Sequence, residues 1–169
     1  VLDRVTLLNV SCVVEGSDGR KAAGFGSMPM GNVWSFPSKL MSYDTTLGAM
    51  KLLAEKIERI TLNLKERGHP IDLNTSLEPE YLKAAKEVSD SQRLAEPIPK
   101  LCVLVAASPF DAALHDAFAK LYGLSCYRTC GRDFMPHDLS MYLGQDFKGQ
   151  YLDQYVRREP TASMPLYHL

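Results

Sequence analysis

Apolar and polar residues alternate from about residue 5 to 15 and again from 20 to 27, a period that predicts two β-strands. In the first, Val5, Leu7, Val10, Val13 and Val14 are apolar. That alternation is imperfect and predicts a bulge or burial on both faces. Between the strands, Gly16-Ser17-Asp18-Gly19 is a turn tolerant of positive φ, so the two runs form a hairpin. Gly24-Phe25-Gly26 on the return strand lets the backbone pass close to another element. An isolated hairpin is marginal in water, so helices or further strands must cover it.

The period then lengthens. From Thr45 or Thr46, Leu47, Met50, Leu53, Ala54, Ile57, Ile60 and Leu64 keep one helix face apolar, and Lys51, Glu55, Glu58, Arg59 and Lys65 solvate the other. Gly68 and Pro70 end it. A shorter helix is predicted over 76–89, with Tyr81, Leu82, Ala85 and Val88 inward and Pro79 in its first turn. Residues 89–100 form a polar connector containing Pro97 and Pro99. The apolar run 101–107 is a buried strand or helix, which period alone does not separate. The clearest helix starts at Ser108 as N-cap, with Pro109 at the first helical position and Asp111 placed for a capping box. Phe110, Ala113, Leu114, Ala117, Phe118 and Leu121 form its stripe, Asp116 and Lys120 pair on its exposed side, and Gly123 stops it.

Two stretches break the pattern. Residues 28–38, MPMGNVWSFPS, concentrate two Met, the only Trp and a Phe in a loop-like segment. Such a loop either plugs into its own core or lines a ligand pocket. If the latter, Met28, Met30, Asn32, Trp34 and Phe36 are the substrate-lining residues. Residues 132–160 are rich in charge and aromatics with weak period; Phe134, Tyr142, Phe147, Tyr151 and Tyr155 either dock on another domain or pack against their own.

At 169 residues the chain is one large domain or one and a half small ones. A net charge of −1 gives no footprint for nucleic acid or anionic membrane. No apolar run approaches membrane-spanning length and no signal peptide is visible, so no membrane association and a cytoplasmic location are expected. Beginning at Val1, the chain is expected to be processed or a fragment. Four scattered cysteines make no disulfide scaffold. Cys12 and Cys102 read as buried hydrophobes, and Cys126 and Cys130, with His137 beyond, lack the spacing and fourth ligand of a metal site. His69, His115, His137 and His168 are the candidate bases, with no nucleophile pairable to any of them; His115 falls on the polar flank of its helix. No catalytic and no metal residue is assigned.

The order of parts resembles the N-terminal capping domain of the enolase superfamily, in its mandelate racemase and muconate-lactonising branch. The resemblance rests on a hairpin closed by Asp18-Gly19, then Gly24-Phe25-Gly26, a long helix, and a closing segment AALHDAFAKLYGLSCYRTCG at 112–131. In that family the segment reads A-L-W-D-L-x-G-K-x-x-G-x-P-x-Y-x-L-L-G. Here Ala113-Leu114-His115-Asp116, Lys120, Gly123, Tyr127 and Gly131 hold matching places. His115, Ala119 and Ser125 depart from it, suggesting a divergent branch near the dipeptide-epimerase-like proteins.

The resemblance implies an α+β fold, an antiparallel β-meander or hairpin packed on a small helical bundle. It implies a capping domain over 1–131, an aromatic-rich extension over 132–163 and, at 164–169, at most the start of a barrel. It further implies a magnesium-dependent isomerase or lyase that abstracts a proton next to a carboxylate. There the metal ligands and catalytic lysines belong to a following barrel of about 250 residues. Partners are then that barrel or a second subunit, and a small carboxylate substrate, and the cap is inactive alone. The alternative is a stand-alone, non-enzymatic interaction or scaffold domain derived from that fold.

Overall fold

The computed structural model describes residues 5–159 and 161–165. The fold is α+β: one antiparallel hairpin, β1 (Leu7–Glu15) and β2 (Lys21–Pro29), followed by helices. These are a short α1 (Asn32–Ser35), then α2 (Tyr43–Leu62), α3 (Pro70–Ser91) and α4 (Lys100–Leu121). Beyond them come single turns: 3₁₀ segments Cys126–Thr129, Gln145–Phe147 and Leu152–Gln154, and a four-residue α5 (Ser140–Leu143).

The register runs unbroken from Leu7 opposite Pro29 to Glu15 opposite Lys21, so the expected bulge is not there. The irregular pattern has another cause. Leu8, Val10, Cys12 and Val14 form the half-buried face, while Leu7 and Val13 sit on the outer face, 55% and 68% exposed. At the turn, Gly19 has a φ of 80°, and Asp18 holds the Arg20 amide and guanidinium.

What seats the hairpin is its glycine pair. A Cβ on Gly24 would lie 2.1 Å from the Ala113 carbonyl oxygen, and one on Gly26 would lie 2.0 Å from that of Pro109. Strand and helix backbones therefore meet with no side chain between them, and Ala113 and Ala117 are fully buried. α4 touches both strands and also α2 and α3. Leu53, Ile57, Leu77, Val88, Cys102 and Val103 fill the interior among the helices.

Helix boundaries depart from expectation at four places: α2 ends at Leu62 with Asn63 as C-cap, short of Gly68 and Pro70, and the other three have a proline or cap behind them. α4 does not begin at Ser108. Its N-cap is Pro99, the 101–107 run is its first half, and Pro109 is internal. A proline there cannot donate to the Val105 carbonyl, but the Ser108 hydroxyl does so at 3.0 Å, so the pair Ser-Pro spares the helix an orphan acceptor. Asp111, expected in a capping box, instead accepts from Asn74 Nδ2. α3 likewise begins six residues earlier than expected, with His69 as N-cap, Pro70 in its first turn and Pro79 inside it at an exposed position. α2 begins one turn early, where Ser42 Oγ accepts from the Thr45 amide at 3.1 Å. At the other end of α4, Gly123 has a φ of 67° and ends the helix as expected.

At 22 residues, with a mean hydropathy of 1.4 over its most apolar window, α4 is long and apolar enough to cross a membrane by length and composition. The expectation that no run approaches that length is therefore corrected. Two helical halves read separately in the sequence join across Pro109, and here the helix is the element that both strands and both other long helices touch.

Candidate functional site

The Met- and Trp-rich stretch divides into an anchor and a tip. β2 carries Met28 on its half-buried face and ends at Pro29. The chain then turns through Gly31 into α1, whose Ser35 and Phe36 amides bond back to Gly31 and Asn32 carbonyls. Asn32, 2% exposed, donates from Nδ2 to the Tyr43 carbonyl at 3.0 Å and to Thr46 Oγ1 at 2.9 Å. That amide fastens the loop to the first turn of α2. Met30 and Phe36 enter the core at 6% and 1% exposure. So three of the five candidate lining residues, Met30, Asn32 and Phe36, hold the loop in place. Only the tip, Val33 and Trp34, faces outward, at 55% and 52% exposure. The indole lies directly over Gly31, where a Cβ would be 2.0 Å from the Trp34 indole nitrogen.

A second cluster surrounds the start of α3, and the sequence reading missed it. His69 is 1% exposed. Its Nδ1 accepts from the Ile71 amide at 3.2 Å, so the proton sits on Nε2, which donates to the Thr129 carbonyl at 3.0 Å. Burial, reinforced by nearby His115, lowers the His69 pKa to about 4. The ring stands edge-on to Phe118 at 5.0 Å and to His115 at 5.7 Å, and Phe118, Tyr122 and Phe134 continue the aromatic contact. His115 is not simply a surface residue. Its side chain is 21% exposed, 3.5 Å from Asp111, and burial lowers its pKa against the pull of that carboxylate. One turn into α3, Asp72 Oδ1 accepts from His137 Nδ1 at 2.9 Å and from the Tyr142 hydroxyl. Burial first, and the Asp72 bond and charge next, push the Tyr142 hydroxyl pKa up.

These contacts show what residues 132–159 of the extension do. Phe134 joins the aromatic stack, Tyr142 and His137 grip Asp72, and Arg132 lies over the Tyr151 ring at 5.3 Å. The extension is packed on its own domain, while Tyr155 stays 60% exposed. The signal available in the sequence was His69-Pro70-Ile71-Asp72, a cap, a proline and a first-turn acid in order.

Cys126 and Cys130 are free thiols, with Cys130 Sγ 3.3 Å from the Cys126 carbonyl, and His137 points elsewhere. Among the described residues no three His, Cys, Asp or Glu side chains converge as metal ligands. His168 and residues 166–169 lie outside the described residues. No protein family, curated protein or solved structure matches this chain.

Proposed function

We propose that residues 5–131 form the substrate-capping domain of a magnesium-dependent isomerase or lyase of the enolase superfamily. The parent reaction is proton abstraction next to a carboxylate, and a barrel domain or second subunit supplies the reacting groups. The carrying observation is the seating of Gly24 and Gly26 on the backbone of α4, the helix that holds the closing-segment residues Ala113, Asp116 and Lys120. Support comes from the loop 30–36, whose inward residues fix its position while Val33 and Trp34 project. In this reading Trp34 closes over the substrate and excludes water, where developing charge is stabilised more strongly. Met30, Asn32 and Phe36 serve as its support. Four free cysteines favour a reducing, cytoplasmic setting.

The test follows α-proton exchange with solvent deuterium when the native polypeptide meets magnesium and a panel of small carboxylates. Exchange with one class of carboxylate is expected. Turnover by residues 1–169 alone would overturn the reading, as would a folded native polypeptide inert across the panel. A native mass near 18.8 kDa would favour the stand-alone interaction domain instead.

A further inference from the structure

Where the turn of the hairpin meets the ends of α2 and α4 and the start of α3, the packing is left incomplete. Arg20 Nη1 donates to the Leu121 carbonyl at 2.9 Å, and the guanidinium lies over the Tyr122 ring at 5.9 Å, so the turn is tied to the end of α4. His69 ties the start of α3 to the Thr129 carbonyl at 3.0 Å. Between these fixed walls lies a cleft of about 570 Å³, within the ~300–1,000 Å³ range of small-molecule sites. Leu114, Phe118 and Leu121 line it from one face of α4, and Leu64, Leu73 and Phe134 line it from the α2–α3 loop, α3 and the extension. Leu114 and Phe118 belong to the apolar stripe of α4, yet both are only half-buried, because the cleft borders them.

The chemistry of the walls selects the ligand. Phe118, Tyr122 and Phe134 stand edge-on or tilted to one another, with centroids 5.1–6.4 Å apart. A further ring entering the cleft joins them in the geometry that aromatic quadrupoles favour. The more buried polar side chains of the wall are already bonded within the protein. Thr61 Oγ1 donates to the Ile57 carbonyl at 2.8 Å and bonds the Tyr81 hydroxyl at 2.7 Å, and both ring nitrogens of His69 are engaged. A ligand that is polar throughout is therefore poorly matched to the interior.

The charged residues of the lining are exposed at its mouth: Glu15, Glu66 and Arg67. Glu15 is paired with Lys21 at 3.0 Å. Glu66 and Arg67, neighbours on the α2–α3 loop, are in no ion pair among the described residues. One anion beside one cation at the mouth of an aromatic cleft complements a molecule that carries an ammonium, a carboxylate and a ring. We propose that this cleft binds a free aromatic α-amino acid. Its ring meets Phe118 and Phe134, its carboxylate meets the Arg67 guanidinium, whose fork matches that shape, and its ammonium meets Glu66. An aromatic side chain within a polypeptide lacks both head charges, which favours the free amino acid over a docked peptide. The inference is independent of the enzymatic reading above, since it rests on this cleft alone.

The probe is L-phenylalanine, titrated calorimetrically into the native polypeptide. Saturable binding is expected with a Kd of about 1 mM or tighter, as suits a ligand of this size. Phenethylamine, which lacks the carboxylate, and hydrocinnamate, which lacks the ammonium, bind about threefold or more weakly, the worth of an exposed ion pair. Crossing ligand and protein changes then locates each head group. In Arg67→Gln, phenylalanine and phenethylamine bind alike, and in Glu66→Gln, phenylalanine and hydrocinnamate bind alike. Both positions are exposed, so neither variant shifts the midpoint of thermal unfolding. Phe118→Leu, which keeps the wall apolar and removes its ring, weakens phenylalanine about threefold or more and leucine less. The proposal is overturned if no saturable binding is seen up to about 10 mM phenylalanine. It is overturned if all three ligands bind the natural protein alike, which would make the cleft an apolar site without head-group recognition. It is also overturned if the two Gln variants leave the differences between ligands unchanged, which would place the amino acid elsewhere.

Discussion

The two faces of the hairpin are made of similar residues and have opposite fates. The inner face carries Leu8, Val10, Cys12 and Val14 opposite Met28, Gly26, Gly24 and Ala22. The outer carries Leu7, Val13 and Phe25 among Asn9, Ser11 and Ser27, with Phe25 53% exposed. Apolar content already favours the inner face, since the outer one also carries Glu15 and Lys21; two missing side chains complete the difference, because only the face with Gly24 and Gly26 lets the α4 backbone approach. The same division recurs in the loop that follows, where Phe36 is buried and Trp34 is presented. A covered face and an open one thus alternate within thirty residues, and substitutions on the two should differ by several kcal/mol.

The largest expected effect is on the covered side. Phe36→Ala should lower unfolding stability by about 3–5 kcal/mol, the range for a buried aromatic truncated to a cavity. Gly26→Ala comes next, at about 3 kcal/mol, near the top of the overpacking range, because the added methyl meets helix backbone that has no rotamer to change. Both are read as shifts of the urea midpoint. A loss under about 0.5 kcal/mol for Gly26→Ala would mean the hairpin is not seated on α4 as described.

The His69 anchor makes a pH prediction of similar size. Its folded pKa, about 4, lies below the ordinary value of 6.5, so the unfolded chain binds the proton more readily between these values. The contribution is therefore fully present above about pH 6.5 and is lost as pH falls toward 4, by about 3 kcal/mol in all. Denaturant titrations at a series of pH values should show this limb, and His69→Asn should flatten it. An unchanged limb in that variant would assign the acid sensitivity to other groups.

The open side should respond least. Trp34→Ala should move the midpoint of unfolding by less than about 1 kcal/mol while raising KM in the enzyme proposed above, whereas a large melting loss with unchanged KM would place the indole in the core. Val13→Thr on the outer face should fall within about 0.5 kcal/mol of the natural protein. A larger loss there would show that the outer face is covered in solution, and would erase the contrast between the two faces.

Much of the fold was legible because it follows from local spacing. The hairpin, its Asp18-Gly19 turn, the buried stripe of α2 and the stop at Gly123 all arise from residues within a few positions of one another. The misreadings cluster at Ser108-Pro109 and at Pro79. Proline is the strongest local signal for a helix start, and in both places the helix runs through it. At 109, the rescue by Ser108 Oγ is local to the helix, while the packing against Gly26 becomes visible only when the hairpin is in place. The cluster at His69, Asp72, His137 and Tyr142 was illegible for a related reason, since Asp72 and Tyr142, which bond each other, lie 70 positions apart and no periodicity links them.

By itself the chain determined which segments pair, which coil and where the backbone must come close without a side chain. It did so because those properties belong to φ and ψ preferences and to apolar spacing over one or two turns. Tertiary structure alone decided that α4 is the element laid on the glycine-bearing face of the hairpin, and which of Trp34 and Phe36 points outward. Each of those outcomes depends on what α4 and α2 bring alongside from eighty and forty residues away, and burial is a property of neighbours, not of the residue that is buried.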